Sequence, residues 1–192
     1  MEQHYIHRLP VTTLLLRLGK TPLLPPPRPV RQLPYLEILT AATETALYPG
    51  NLVTIYADLQ PHPGVGVYAP GVAGYQGVAL TLEPQPYLQV RTVHYPAATV
   101  LPVPIPGETL TVYNRPVRIS VEVALGNRLE LQPVYEAGGT LEIRGKLAFQ
   151  ACDDRACYPP QEVPLLWTFS LRPPDLERPP EALQYREKGA KR

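Results

Sequence analysis

The sequence predicts an all-β protein folded as an antiparallel sandwich. Apolar and polar residues alternate over five stretches, as expected of strands with one buried face. Gly, Pro and Asn turn signals separate these stretches at intervals of roughly 8–12 residues or somewhat more. The chain also contains 26 prolines, and proline is excluded from helix interiors because it lacks a backbone N–H. With 192 residues, 44% of them hydrophobic, the chain is long enough for one packed β-domain with flanking segments.

The two ends of the chain lie outside the alternating stretches. Within residues 1–20, an apolar run closed by Gly19 predicts a short helix with a glycine C-cap, or the tail of a preceding domain. Residues 21–47 are predicted to be a linker, because their segment PLLPPPRPVRQLP favours extended polyproline II. Residues 172–192 are polar, charged and interrupted by prolines, which predicts a disordered tail.

The alternating stretches occupy residues 48–171, the predicted β-sandwich. In each stretch the apolar residues share one face, because successive side chains of a strand point to opposite faces. The predicted inward sets, in chain order, are Val53, Ile55, Ala57 and Leu59; Val78, Leu80 and Leu82; Val117, Ile119, Val121, Val123 and Leu125; Leu141, Ile143, Leu147 and Phe149; and Val163, Leu165, Trp167, Phe169 and Leu171.

Charge and hydropathy exclude two classes of interaction. The 18 basic residues nearly balance the 17 acidic ones, so there is no basic surface to hold a phosphate backbone, and we expect no nucleic-acid partner. No stretch approaches the roughly 20 apolar residues that span a bilayer, so we expect no membrane span. No export signal is visible either, because Arg17 interrupts the best candidate. We interpret the chain as a piece of a longer exported protein.

The two cysteines, Cys152 and Cys157, are separated by four residues. A predicted strand leads into Cys152 and another begins near Cys157, so the two side chains can face each other across a hairpin. Opposed residues of antiparallel strands have Cα atoms roughly 4.5–5.5 Å apart, which is within the usual range for a disulfide. The sequence therefore permits a bridge across this hairpin.

Redox exchange is the function that this cysteine pair favours. A ring this small stabilises a fold by less than the roughly 3 kcal/mol expected for a 15-residue loop. This small contribution favours a redox-active disulfide over a purely structural one. The alternative is a binding or accessory domain whose hairpin disulfide never cycles. A metal site has less support, because structural zinc uses two close ligand pairs and only His4 and His7 form a second one. Either use of a bridge favours an extracytoplasmic compartment.

Charged neighbours in the hairpin act on the thiols in opposite directions. Arg155 favours the reactive thiolate, whereas Asp153 and Asp154 oppose it. We therefore expect a free thiol whose pKa is not strongly lowered and which is activated when a partner docks. The two acids also suit a turn, because Asp side chains accept hydrogen bonds from nearby backbone N–H groups.

The segment FQACDDRACYPPQEVPLLWTF, with VGVYAPGVAGYQGVALTL upstream, resembles the amino-terminal domain of the thiol:disulfide interchange protein DsbD family. The resemblance extends over about residues 48–171. It implies an immunoglobulin-like fold in the periplasm and electron transfer to client disulfides without a metal or organic cofactor. It also implies that Cys157 forms the mixed disulfide with partners and that Cys152 resolves it. Tyr68 matches an aromatic residue that helps to pack a covering loop, and Tyr158 is close to the site in sequence.

The resemblance also implies partners and a domain order. The expected partners are thioredoxin-like proteins or DsbD-type transmembrane redox proteins, with reductase-type activity requiring such partner domains. A thioredoxin- or peroxiredoxin-like domain upstream in the same chain would account for residues 1–20 as its end. Two departures from the family pattern stand out. The segment LPVPIPGETL before Tyr113 lacks the aromatic residue of a shielding cap, and the cysteines are one residue closer than in the best-known member.

Overall fold

The structure is a computed structural model that describes residues 25–102 and 109–173. These residues form thirteen strands and one short helix. In chain order the elements are β1 (Arg28–Gln32), β2 (Leu36–Ala42), β3 (Ala46–Leu47), β4 (Leu52–Pro61), β5 (Gly66–Tyr68), β6 (Ala79–Leu82), β7 (Leu88–His94), β8 (Thr99–Pro102), β9 (Thr109–Tyr113), β10 (Val117–Leu125), α1 (Gln132–Glu136), β11 (Thr140–Phe149), β12 (Ala151–Cys152) and β13 (Gln161–Leu171).

Two larger sheets build the sandwich. The first has the strand order β1-β2-β4-β10-β7 and is antiparallel throughout. The second has the order β3-β13-β11-β6, in which only the β3–β13 pair is parallel. The two sheets share one buried apolar cluster. The prediction of an all-β sandwich is confirmed.

The longest pairing, between β11 and β13, positions the cysteines. It runs without interruption from Thr140 opposite Ser170 to Phe149 opposite Gln161. On the other side of β11, β6 approaches so closely that a Cβ on Gly145 would lie 2.7 Å from the carbonyl oxygen of Thr81. Glycine is therefore required there for backbone packing. The connection from β11 to β13 carries both cysteines at one end of the sandwich.

The predicted inward faces form the core. Every residue of the five predicted sets is buried except Val117, which is half-buried at the start of β10. Trp167 packs inward and its indole Nε1 donates a hydrogen bond of 3.1 Å to the carbonyl oxygen of Tyr56 in the opposite sheet. A buried indole N–H needs such a partner, so this bond both satisfies Trp167 and links the sheets.

The predicted linker over residues 21–47 is wrong for residues 28–47, which form β1, β2 and β3. Leu36 and Ile38 are fully buried, so β2 is part of the sandwich. Proline does not prevent this arrangement, because Pro29 lies on β1, an edge strand where a missing N–H is tolerated. The predicted helix within residues 1–20 lies outside the described residues. So does most of the predicted tail, which is described only to residue 173.

The short helix α1 was not predicted from the sequence. It begins with a proline in its first turn and buries only Val134. No helix in residues 25–102 or 109–173 has both the length and the hydrophobicity required to cross a bilayer.

Candidate functional site

A third, smaller sheet holds the cysteine hairpin. Its strand order is β12-β5-β9-β8. The short strand β12 pairs with β5, which places Cys152 opposite Gly66. On its other side β5 pairs with β9, which places Tyr68 opposite Val112. The cysteines therefore lie at one edge of this sheet, with Tyr68 on the neighbouring strand.

Cys152 and Cys157 form a disulfide with a Cα–Cα distance of 4.0 Å. Two backbone hydrogen bonds flank the pair, from Asp153 N–H to the carbonyl of Ala156 and from Tyr158 N–H to the carbonyl of Ala151. The cysteines are thus a non-hydrogen-bonded pair, the kind in which opposed Cα atoms approach most closely. The bridge that the sequence permitted is present in the structure.

The two sulfurs differ in their exposure. Cys157 is exposed to solvent, whereas Cys152 is half-buried. Because exchange begins when a thiolate reaches one sulfur of a disulfide, access favours attack at Cys157.

Tyr68 contacts both sulfurs. Its hydroxyl oxygen lies 2.9 Å from Sγ of Cys152 and 3.5 Å from Sγ of Cys157. A disulfide sulfur carries no hydrogen, so the hydroxyl is the donor. Burial raises the pKa of Tyr68, and the neighbouring Tyr75 raises it further. Tyr68 therefore stays protonated, and able to donate, at neutral pH.

Tyr75 covers Tyr68 from the side of the solvent. The two rings stack with centroids 4.2 Å apart, and Tyr75 is itself exposed. Its loop is fastened near the hairpin by a hydrogen bond from Gln76 N–H to the side-chain oxygen of Gln150. Tyr68 thus packs against a neighbouring loop. The segment before Tyr113, in which the sequence lacks the aromatic residue of a shielding cap, includes residues 103–108, which lie outside the described residues.

Asp153 organises the turn between the cysteines. Its Oδ1 accepts hydrogen bonds of 2.8 Å from the N–H groups of Arg155 and Ala156, and its Oδ2 accepts one of 2.6 Å from the hydroxyl of Tyr158. The bond from Tyr158, followed by those from the backbone, lowers the pKa of Asp153, and the same bond raises the pKa of Tyr158. The turn-forming role predicted for Asp153 is present. Asp154 is exposed on the same turn, as is Arg155.

Tyr35 connects this turn to the core. Its ring stacks on Tyr158 with centroids 3.8 Å apart and an interplanar angle of 11°. Tyr35 is buried, and its hydroxyl accepts a hydrogen bond of 2.8 Å from the side chain of Gln161. Sequence reasoning missed both Tyr35 and Tyr75. No local pattern marks them, because each meets its partner only through the tertiary fold.

A metal site finds no support in the described part of the chain. Residues 25–102 and 109–173 contain no group of three or more His, Cys, Asp or Glu side chains arranged to hold an ion. Both cysteines are joined to each other, and His4 and His7, the other proposed ligands, lie outside the described residues.

Comparison with known proteins identifies the family. Residues 37–166 match the family described as "Thiol:disulfide interchange protein DsbD, N-terminal". The chain belongs to this family. The DsbD amino-terminal match spans Tyr68 and the whole cysteine hairpin, and it starts inside β2, in agreement with the structure's placement of that strand in the sandwich. Domains of this family take part in thiol–disulfide transfer, and the disulfide that such transfer needs is present here.

Among solved structures, the chain is similar to the N-terminal periplasmic domain of ScsB from Proteus mirabilis. The identity is 15% and the TM-score 0.46, over 70% of this chain and 49% of that one. The chain thus spans about half the length of that structure. A comparison with curated proteins gave no match. The DsbD-like domain is an all-β sandwich with a disulfide hairpin at one end.

Proposed function

We propose that this DsbD-type domain passes electrons to or from extracytoplasmic proteins through the Cys152–Cys157 pair. Cys157 forms the mixed disulfide with the partner, and Cys152 resolves it. The observation that carries this proposal is the asymmetry of the bridge. Cys157 is exposed, whereas Cys152 is half-buried and accepts a hydrogen bond from Tyr68.

Reduction of the bridge begins with a partner thiolate attacking Sγ of Cys157. A partner–Cys157 bond forms, the Cys152–Cys157 bond breaks, and its electron pair remains on Sγ of Cys152 as a thiolate. The Tyr68 hydroxyl, 2.9 Å from that sulfur, donates to the developing negative charge. Hydrogen bonds to charged acceptors are roughly twice as strong as neutral ones, so Tyr68 stabilises the leaving group more than the intact bridge.

The partner's second thiolate then attacks the partner sulfur of the mixed disulfide and releases Cys157 as a thiolate. The partner has become a disulfide, and the domain holds two thiolates that take up protons from water according to their pKa values. Onward transfer follows the same path in reverse order. Cys157 attacks a client disulfide, Cys152 attacks Sγ of Cys157, and the client leaves reduced. The direction of flow is set by the reduction potentials of the partners.

The proposed partners are thioredoxin-like proteins or DsbD-type transmembrane redox proteins. A thioredoxin- or peroxiredoxin-like domain upstream in the same chain is a further candidate, with residues 1–20 as its end, and would act at high effective concentration. The periplasm is the proposed compartment, because a cycling disulfide persists where thiols are not kept reduced. The steps above use only sulfur, the Tyr68 hydroxyl and water, and they need no metal or organic cofactor.

The reduction potential of the pair tests this proposal. The purified domain is equilibrated in glutathione or dithiothreitol buffers, and free thiols are trapped and counted. We expect a potential in the range of exchange proteins, roughly −120 to −270 mV. A potential below about −300 mV would instead identify a structural bridge and a non-cycling accessory domain.

Single-cysteine variants test the roles of the two sulfurs. In C152S the resolving thiol is absent, so we expect a mixed disulfide to accumulate at Cys157 when the variant meets a single-cysteine thioredoxin-like protein activated as its glutathione mixed disulfide, because that partner has no second thiol to release Cys157. C157S is the matched control and should accumulate much less adduct. Equal trapping by both variants would contradict the assignment of roles.

A further inference from the structure

We propose that Asp153 is a positioning residue that keeps Cys157 opposite Cys152 when the bridge is open. This inference rests on the proposed function, and it concerns the reduced and mixed-disulfide states, in which no covalent bond holds the two sulfurs together.

Asp153 holds the residue on each side of Cys157. Its Oδ1 accepts the N–H of Ala156, and its Oδ2 accepts the hydroxyl of Tyr158. The Asp153 N–H also donates to the carbonyl of Ala156. Cys157 is exposed, but its place in the chain is therefore fixed from both neighbours by a single side chain.

The turn between the cysteines is also connected to the buried residue Tyr35 and to strand β13. Tyr158 stacks on Tyr35 at 3.8 Å, and Tyr35 is buried and hydrogen-bonded to Gln161 at the start of β13. On the other side, Tyr158 N–H donates to the carbonyl of Ala151 in β12. The hairpin is thus tied to strands at both of its ends.

None of these contacts involves a sulfur atom, so none requires the disulfide. When the bridge opens, an untethered turn would gain conformational entropy, and that entropy must be lost again before the bridge can re-form. A tethered turn keeps Sγ of Cys152 within reach of Sγ of Cys157. Such preorganisation raises the effective concentration of one thiol for the other. Two measurable consequences follow: faster resolution of a mixed disulfide at Cys157, and a more stable disulfide.

The redox equilibrium with glutathione measures this effect. In it, the domain dithiol and one molecule of glutathione disulfide give the domain disulfide and two molecules of reduced glutathione. For this two-electron couple, a tenfold change in the equilibrium constant corresponds to about 30 mV. Loss of the restraint disfavours the domain disulfide, so the reduction potential rises.

The experiment compares D153A, D153N and Y158F with D154A, which removes the same charge from the exposed neighbouring position. We expect D153A to raise the potential by about 30 mV, equivalent to a tenfold loss, and to slow release of glutathione from the Cys157 adduct to a similar extent. D153N keeps a side-chain carbonyl for the N–H groups of Arg155 and Ala156, so it should recover most of the loss. Y158F removes one bond and should give a smaller shift, whereas D154A should match the wild type.

Three outcomes would overturn the proposal. The first is a D153A variant that unfolds more easily but keeps the wild-type potential and resolution rate, since Asp153 would then be only a turn former. The second is a D154A variant that shifts the potential as much as D153A, because charge and not position would be the cause. The third applies if D153A does not fold: a Y158F variant whose reduction potential and resolution rate both equal those of the wild type. A wild-type potential as low as that of a structural bridge would contradict the proposed function, while the shifts between variants would still decide the role of Asp153.

Discussion

The core between the two large sheets and the cysteine hairpin are stabilised by different kinds of contact. Between the sheets, side chains such as Ile143, Leu147 and Phe169 are buried and apolar, and each contributes to one shared cluster. In the hairpin, Asp153 and the hydroxyl of Tyr68 each make specific polar contacts. Stability is therefore distributed over many residues, whereas the geometry of the sulfurs depends on a few.

This difference separates two kinds of mutational effect. Truncation between the sheets removes apolar contacts and leaves a cavity, so it lowers the free energy of unfolding. Truncation in the hairpin removes hydrogen bonds that do not hold the sheets together, so it should alter exchange more than stability. Four measurements test this contrast, beginning with the variant that should lose the most free energy.

The largest effect is expected from Ile143→Ala in β11. Ile143 is fully buried opposite Trp167, and truncation of such a side chain costs about 2–5 kcal/mol. Urea unfolding measures the loss. Leu166→Ala, on the outer face of β13 and 45% exposed, is the control and should change stability by at most about 0.5 kcal/mol. Similar losses in both variants would contradict a core concentrated between the sheets.

Removal of the bridge in C152A/C157A should have a smaller effect. The loop-entropy relation gives about 2 kcal/mol for so short a ring, because little entropy of the unfolded chain is restricted. The same urea measurement, with the wild type under oxidising conditions as reference, reports the difference. A double variant that cannot fold would show that the fold requires the disulfide.

Tyr68→Phe should slow thiol–disulfide exchange about tenfold, equivalent to roughly 1.4 kcal/mol, because the Cys152 thiolate loses its donor. Stopped-flow reduction by dithiothreitol measures the rate. Tyr48→Phe removes the same hydroxyl from an exposed tyrosine between β3 and β4 and serves as the control, with a rate close to that of the wild type. If Tyr68→Phe reacts at the wild-type rate, the hydroxyl does not stabilise the leaving sulfur.

The smallest effect is expected at acid pH. The pKa of Asp153 is lowered in the folded domain, first by Tyr158 and then by the backbone N–H groups of Arg155 and Ala156. Its contribution to stability is therefore complete above the unfolded value of about 3.9 and is lost as the pH falls through the lowered value. Urea midpoints between pH 6 and pH 2 should fall slightly more steeply for the wild type than for D153N. Y158F lacks the hydroxyl that lowers the pKa of Asp153 most, so its slope should lie between those of the wild type and D153N. Identical slopes for all three proteins would contradict this account.

Much of the fold could be predicted because long strands leave a clear pattern. The alternation in β4, β10, β11 and β13 identified nearly every inward residue. The same rule failed for β1 to β3, because the proline-rich segment that runs into β1 resembles a linker and because β1 and β3 are short. Their strand structure comes from pairing, of β1 with β2, of β2 with β4 and of β3 with β13, and a pairing partner is not visible in a local pattern.

The candidate site divides in the same way. The spacing of Cys152 and Cys157 and the acidic turn between them were sufficient to predict a bridged hairpin. The stacks of Tyr158 on Tyr35 and of Tyr68 on Tyr75 were not predicted, because ring stacking requires a specific placement of strands and loops.

The amino-acid sequence alone is thus sufficient for the all-β class, the inward faces of the main strands and the position of the cysteine hairpin, since each follows from short-range periodicity or spacing. The folded structure is needed to show that Cys157 is the exposed sulfur, that Tyr68 donates to Cys152, and that Asp153 is linked through Tyr158 to the core. Burial and hydrogen bonding depend on distances between residues far apart in the chain, and those distances are set when β5, β12 and Tyr35 are brought together.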